Sequence, residues 1–122
     1  VTLGNPSGLQ NPPHHLNNNL LLFDYLPYTD ILDKMDFVIH HAGSGILMGC
    51  IEQGIPSLIL PQDFDQFDNA LRAELAQVGL VSRKKTDSEV LDLFQALISQ
   101  KDWSKLHSLT QISKAYQPTE IL

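Results

Sequence analysis

With 122 residues, 43% of them hydrophobic and 18% charged, the chain is long enough to bury a core, and its length fits a single domain. A net charge of −6 leaves no general basic surface for nucleic acid, and one cysteine, Cys50, excludes an internal disulfide. No apolar run approaches the roughly 20 residues of a membrane-spanning helix, and residues 1–4 carry neither the basic start nor the apolar stretch of a secretory signal, which points to the cytoplasm.

The chain opens on Val1 without a Met, as a fragment would. Residues 1–3 read as the end of a strand entering the loop Gly4-Asn5-Pro6-Ser7-Gly8. Residues 10–19, with Pro12-Pro13 and Asn17-Asn18-Asn19, have turn chemistry and no hydrophobic period, and read as a surface loop. Residues 20–25 form a compact apolar run ended by Pro27, the pattern of a parallel strand buried on both faces. A short helix capped by Thr29 follows through Lys34, and residues 36–40 make the next buried strand.

From Gly45 to Gln53 the pattern is helical, with Ile46, Leu47, Cys50 and Ile51 for packing and Gly54 as a left-handed cap. Cys50, inside this apolar segment, reads as a buried structural thiol. Residues 55–61 form a third strand with proline at its ends, residues 66–78 a helix stopped by Gly79, and residues 80–82 a short outer strand. Asp87 or Ser88 caps a helix to about Gln100, a last helix runs from about Trp103 to Ala115, and Pro118 opens one further helical piece over residues 119–122. This alternation predicts a Rossmann-like α/β/α domain with a mostly parallel sheet and right-handed crossovers.

In open α/β sheets ligands bind beyond the carboxyl ends of the strands, where residues 36–40 meet His40-His41-Ala42-Gly43-Ser44-Gly45 and a helix. Gly43 and Gly45 let backbone N–H groups approach an anion, the helix dipole adds about half a positive charge, and a histidine can donate to a phosphate oxygen. A Gly-Ser-Gly turn by itself also serves tight geometry. Context comes from Asp65-Gln66, which follows the next strand onto the same sheet edge: a carboxylate beside an amide matches vicinal sugar hydroxyls, although for Asp65 or Asp68 taken alone a helix cap is the more ordinary role. There is no Walker loop, and neither His14-His15 nor His40-His41 has a third ligand at metal spacing, so neither metal nor cofactor is expected.

Through His40-His41-Ala42-Gly43-Ser44-Gly45, Gly54-Ile55-Pro56 and Asp65-Gln66-Phe67-Asp68-Asn69-Ala70, in order and without gaps, residues 20–81 resemble the C-terminal domain of the UDP-glycosyltransferase family. The resemblance implies the GT-B fold, in which this domain binds an activated sugar and the other domain an acceptor. It assigns His41, Gly43, Ser44 and Gly45 to the donor diphosphate, Asp65 and Gln66 to the sugar hydroxyls, and Tyr25 and Tyr28 to the nucleobase. Tyr25 also suits a core aromatic at a strand end.

Two positions depart from the family: Ile46 replaces the hydroxyl residue after the turn, and Gly49 replaces the glutamate that many members place near the ribose, with Glu52 three residues later. The resemblance further implies transfer of a hexose from a UDP-sugar to a small-molecule or lipid acceptor hydroxyl with inversion. The catalytic base is expected in the N-terminal domain, so that residues 1–122 are a partial donor domain, inactive alone. A non-catalytic nucleotide-sugar-binding module and a sugar-nucleotide epimerase-like domain are the alternatives.

Overall fold

The computed structural model describes residues 1–116, which fall into two compact units divided between Ile31 and Leu32. The further helical piece expected over residues 119–122 lies outside the described residues.

In the first unit, two strands, β1 (His14–Asn17) and β2 (Leu20–Leu22), pair antiparallel, with an irregularity between His15 and Asn17. The loop expected over residues 10–19 is therefore half hairpin. Its turn is built by asparagine: the Asn19 N–H donates to Oδ1 of Asn17 at 2.7 Å, an Asx turn that needs no glycine. The strand expected over residues 20–25 is also shorter than its apolar run, pairs antiparallel, and leaves Leu20 and Leu21 exposed. The parallel contact is made further on, where Thr2 bridges Phe23 and the Leu3 N–H donates to the Phe23 carbonyl at 2.9 Å. In place of a helix capped by Thr29 there are two separate 3-10 turns, Tyr28–Asp30 and Leu32–Lys34. Too few residues stand between Pro27 and Asp36 to recover the cost of nucleating an α-helix.

The second unit is an α/β layer structure. Strands β3 (Val38–His40), β4 (Ser57–Ile59) and β5 (Gly79–Val81) form a parallel sheet in that order, with Val38, Ser57 and Gly79 in register. Helices α1 (Ser44–Gln53), α2 (Phe64–Leu75), α3 (Asp87–Ser99) and α4 (Ser104–Ala115) connect and cover it. All three residues of β4 are buried, although successive side chains point to opposite faces, so both faces of the central strand are covered. Leu58 and Ile59 centre a core that includes Leu47, Val78, Leu97, Trp103 and Leu106.

Helix α1 ends as its sequence dictates. Gly54 has φ +72°, and its N–H and that of Ile55 close the last turn onto the Ile51 and Cys50 carbonyls. Helices α1 and α4 are tied by the Thr110 hydroxyl, which donates to the Ile51 carbonyl at 2.7 Å. Cys50 is buried as expected, and burial pushes its thiol pKa up. Trp103 is buried at the start of α4, donating its indole N–H to the Gln100 carbonyl at 3.1 Å.

Candidate functional site

The turn between β3 and α1 is locked from inside the protein. Nδ1 of His40 accepts the Ala42 N–H at 3.0 Å, which places the ring proton on Nε2, facing the Ser57 hydroxyl at 2.9 Å. Burial, and secondarily the neighbouring His41, lower the His40 pKa from 6.5 to about 4. His40 is thus a neutral structural brace between β3 and β4 with both ring nitrogens occupied.

Ala42 is fully buried in the left-handed region at φ +73°, a conformation that alanine adopts only when its surroundings impose it. The surroundings are legible: His40 holds its N–H, and the Asn69 side-chain amide on α2 donates to its carbonyl at 2.9 Å.

Gly43 is the N-cap of α1, and no side chain caps that helix start. The N–H groups of the first turn, from Ser44 to Ile46, have no carbonyl within the helix to serve, and they carry the positive end of the helix dipole. His41 is exposed beside them: a Cβ placed on Gly43 would stand 3.4 Å from Cε1 and 3.7 Å from Nδ1 of its ring. Ser44 and Gly45 are exposed too. The structure therefore brings His41, Gly43, Ser44 and Gly45 together at one helix mouth. Ile46 is partly buried against the cluster of Leu32, Cys50 and Ile55, with its Cγ2 3.8 Å from a Cβ placed on Gly43.

Asp65 and Gln66 lie in the first turn of α2. Asp65 is exposed, but Gln66 is partly spent on the helix itself: its Oε1 accepts the N–H groups of Gln62 at 2.9 Å and Asp63 at 3.1 Å. What Gln66 has left to offer outward is the Nε2 donor. The spacing Asp63-x-x-Gln66 is a capping-box signature and could have disclosed this from sequence. Asp68 pairs with Arg72 on the exposed side of the helix at 3.1 Å. The loop leading into α2 is held by Lys85, whose ammonium donates to the Pro61 carbonyl at 2.7 Å and sits 5.4 Å from the centre of the Phe67 ring.

Tyr25 and Tyr28 belong to the first unit, where Tyr25 is half-buried and Tyr28 exposed. A recess of about 550 Å³ in the second unit includes none of these residues; Ile39, Leu60 and the α3 residues Val90, Leu91 and Phe94 line most of it. Lys85 and Asp87 also line it, but the Lys85 ammonium is engaged by the Pro61 carbonyl, so this mainly apolar surface lacks the convergent donors a diphosphate needs. Among the described residues no group of acidic, histidine and cysteine side chains is arranged to hold a metal ion. No helix among them is long and apolar enough to cross a membrane.

Known proteins converge on one family. Residues 5–111 match the family described as Erythromycin biosynthesis protein CIII-like, C-terminal domain. Human UDP-glucuronosyltransferase 1A9 is 31% identical over 97 residues, 76% of this chain and 18% of that protein. L-demethylnoviosyl transferase of Streptomyces niveus is 36% identical over 62 residues, 51% of this chain and 16% of that protein. Among solved structures, spinosyn rhamnosyltransferase SpnG complexed with thymidine diphosphate superposes with a TM-score of 0.74 at 25% identity, covering 84% of this chain and 29% of that one. The chain thus spans less than a fifth of the length of these curated relatives. The matched residues, the parallel sheet and the open start of α1 agree: the chain belongs to the Erythromycin biosynthesis protein CIII-like C-terminal domain family, a domain of glycosyltransferases.

Proposed function

We propose that residues 1–122 are part of the donor-binding domain of an enzyme that transfers a hexose from a nucleoside diphosphate sugar to an acceptor hydroxyl, with inversion at the anomeric carbon. The observation that carries this reading is the start of α1, where first-turn N–H groups without a side-chain cap lie beside the exposed ring of His41. These donors suit a diphosphate, and they are fixed before any ligand arrives because Ala42 behind them is pinned at both its N–H and its carbonyl. As the sugar leaves, charge grows on the diphosphate oxygens, and a preorganised helix start with a histidine donor stabilises that charge more than it stabilises the bound donor.

In this reading Gly43, Ser44 and Gly45 supply the backbone of the anion site and His41 its side-chain donor. Asp65 accepts from sugar hydroxyls, and Gln66 donates to one through Nε2. Tyr25 and Tyr28 serve the nucleobase, Tyr25 by stacking. The acceptor and the base that deprotonates it belong to other parts of the full-length protein, in keeping with the relatives' much greater length. UDP is the favoured nucleotide because curated relatives are named UDP-glucuronosyltransferases; the thymidine diphosphate in a solved neighbour makes it the comparison ligand. A cytoplasmic location is part of the same reading.

UDP or thymidine diphosphate added at millimolar concentration should shift the amide resonances of residues 43–46 and those of Tyr25, and unchanged spectra with both would sink the proposal. In the full-length enzyme, His41→Ala should lower kcat/KM at least tenfold; wild-type turnover would remove His41 from the diphosphate site. A non-catalytic binding module is the second reading, favoured by the apolar packing of Ile46 at the position where the resemblance implies a hydroxyl residue. Donor binding without product from the full-length protein would establish it.

A further inference from the structure

Asn69 lies within the second turn of α2, one turn after Asp65, and its Nδ2 donates to the Ala42 carbonyl at 2.9 Å across 27 residues of sequence. We infer that Asn69 is a positioning residue for the donor diphosphate: it holds the Ala42–Gly43 peptide in the orientation that presents the Gly43 N–H at the mouth of α1. The inference rests on the diphosphate reading of that turn.

The argument is geometric. No peptide bond among the described residues is cis, so the Ala42 carbonyl and the Gly43 N–H point in opposite directions. A carbonyl drawn toward Asn69 therefore sends the Gly43 N–H away from α2. Rotating this peptide by half a turn would reverse both groups and place a carbonyl oxygen where a phosphate oxygen is expected. The Cβ of Ala42 itself resists that rotation, because at positive φ the turned-over ψ region is populated essentially by glycine, and the Asn69 bond adds to this resistance. His40 grips the Ala42 N–H, which belongs to the preceding peptide, and Gly43 has no Cβ to resist a change in its own φ. Ala42 at φ +73° is itself a disfavoured conformer that needs an external hold. The Asn69 amide shares that hold with the His40 ring, and it is carried by the helix whose first turn presents Asp65 and Gln66.

Asn69→Asp is the informative substitution, because it keeps the side-chain shape while replacing the donor by an acceptor. A carboxylate repels the Ala42 carbonyl and would attract a reversed Gly43 N–H, so it favours the rotated peptide. In the full-length protein, N69D should weaken UDP binding by calorimetry at least tenfold, with Asn69→Ala weakening it several-fold. Uridine binding, followed by NMR, should stay within twofold of wild type, since the loss is confined to the diphosphate. With glycine-selective nitrogen labelling, the ligand-free Gly43 amide resonance should move in N69D.

A folded N69D that binds UDP as wild type does would overturn the inference. So would equal losses for uridine and UDP, which indicate a structural role. Should N69D not fold, N69A decides by the same comparison of UDP with uridine. If the wild-type protein binds neither UDP nor thymidine diphosphate, the donor reading fails first and this inference with it.

Discussion

Acidification should weaken the second unit through His40. In the native state Nδ1 accepts the Ala42 N–H and Nε2 faces Ser57, so a second proton can enter only by breaking the Ala42 bond. The folded pKa of about 4 lies below the ordinary 6.5, mainly through burial and then through His41. Between those values the unfolded chain binds more protons than the native one. Stability therefore rises with pH through this window and is lost as pH falls from about 6.5 to about 4.

Integrating the two titrations gives roughly 2 kcal/mol lost between about pH 7 and about pH 5, and roughly 3 kcal/mol by about pH 4. The carboxylates add their own pH dependence, so the measurement is a difference. Urea unfolding of the wild type and of His40→Asn, which keeps an acceptor near the Ala42 N–H but cannot titrate there, should be compared at both ends of the window. The wild type should lose roughly 2 kcal/mol more than the variant between about pH 7 and about pH 5. Equal losses, or an NMR titration of the His40 ring centred near 6.5, would refute the reasoning.

Leu58→Ala removes a fully buried side chain from the central strand and should cost about 2–5 kcal/mol in urea unfolding, whereas less than about 1 kcal/mol would show that the core collapses around the gap. Gly79→Ala would put a Cβ 2.6 Å from the Ser57 carbonyl oxygen, forcing β4 and β5 apart; a loss of about 1–3 kcal/mol and faster amide exchange at Ser57 are expected, and an unchanged exchange rate would contradict the contact. Gly54→Ala meets only an ordinary 3.4 Å contact with Thr110, so its cost is conformational, about 1–2 kcal/mol from the left-handed backbone, and Gly54→Asn should recover part of it. Arg83→Ala breaks a bidentate pair with Glu74 at 2.9 and 2.8 Å, yet both side chains are exposed. Its effect should stay below about 1 kcal/mol and fade with salt, and a larger loss would mean that Arg83 packs.

The strand and helix sequence from β3 onward was legible because each signal was local. An apolar strand, a Gly-rich turn, a helical stripe and Gly54 at the helix end need no information from elsewhere in the chain. The hairpin of β1 and β2 was not legible: its strand carries His14, His15 and Asn17, and its turn is asparagine rather than an asparagine–glycine pair. The turn after Pro27 misled in the opposite direction, since Thr29 looks like a cap and Ile31, Leu32 and Met35 look like a helical stripe, but the segment is too short to nucleate.

At the candidate site, the order of elements alone put the turn from His40 to Gly45 at the carboxyl end of a strand, while the roles given to His41, Gly43, Ser44 and Gly45 came from the resemblance. The brace by His40 and the clamp by Asn69 could not be placed this way, because each depends on a tertiary contact spanning 17 or 27 residues. Gln66 shows a third situation, in which the local signal was present as a capping box and pointed to a role that competes with the one inferred from resemblance.

Ala42 also limits how this turn can be spelled. Its Cβ is fully enclosed and its backbone is left-handed, so a longer side chain would meet the core and a β-branched one would add backbone strain. Glycine fits both conditions but enlarges the freedom of the unfolded loop and leaves a gap behind it. The vocabulary at position 42 is thus reduced to the two smallest residues by the interior behind the turn, whatever the turn faces outside. Substitutions that diversify this loop have room at the exposed Ser44 and Gly45, and almost none at Ala42, two residues before Ser44.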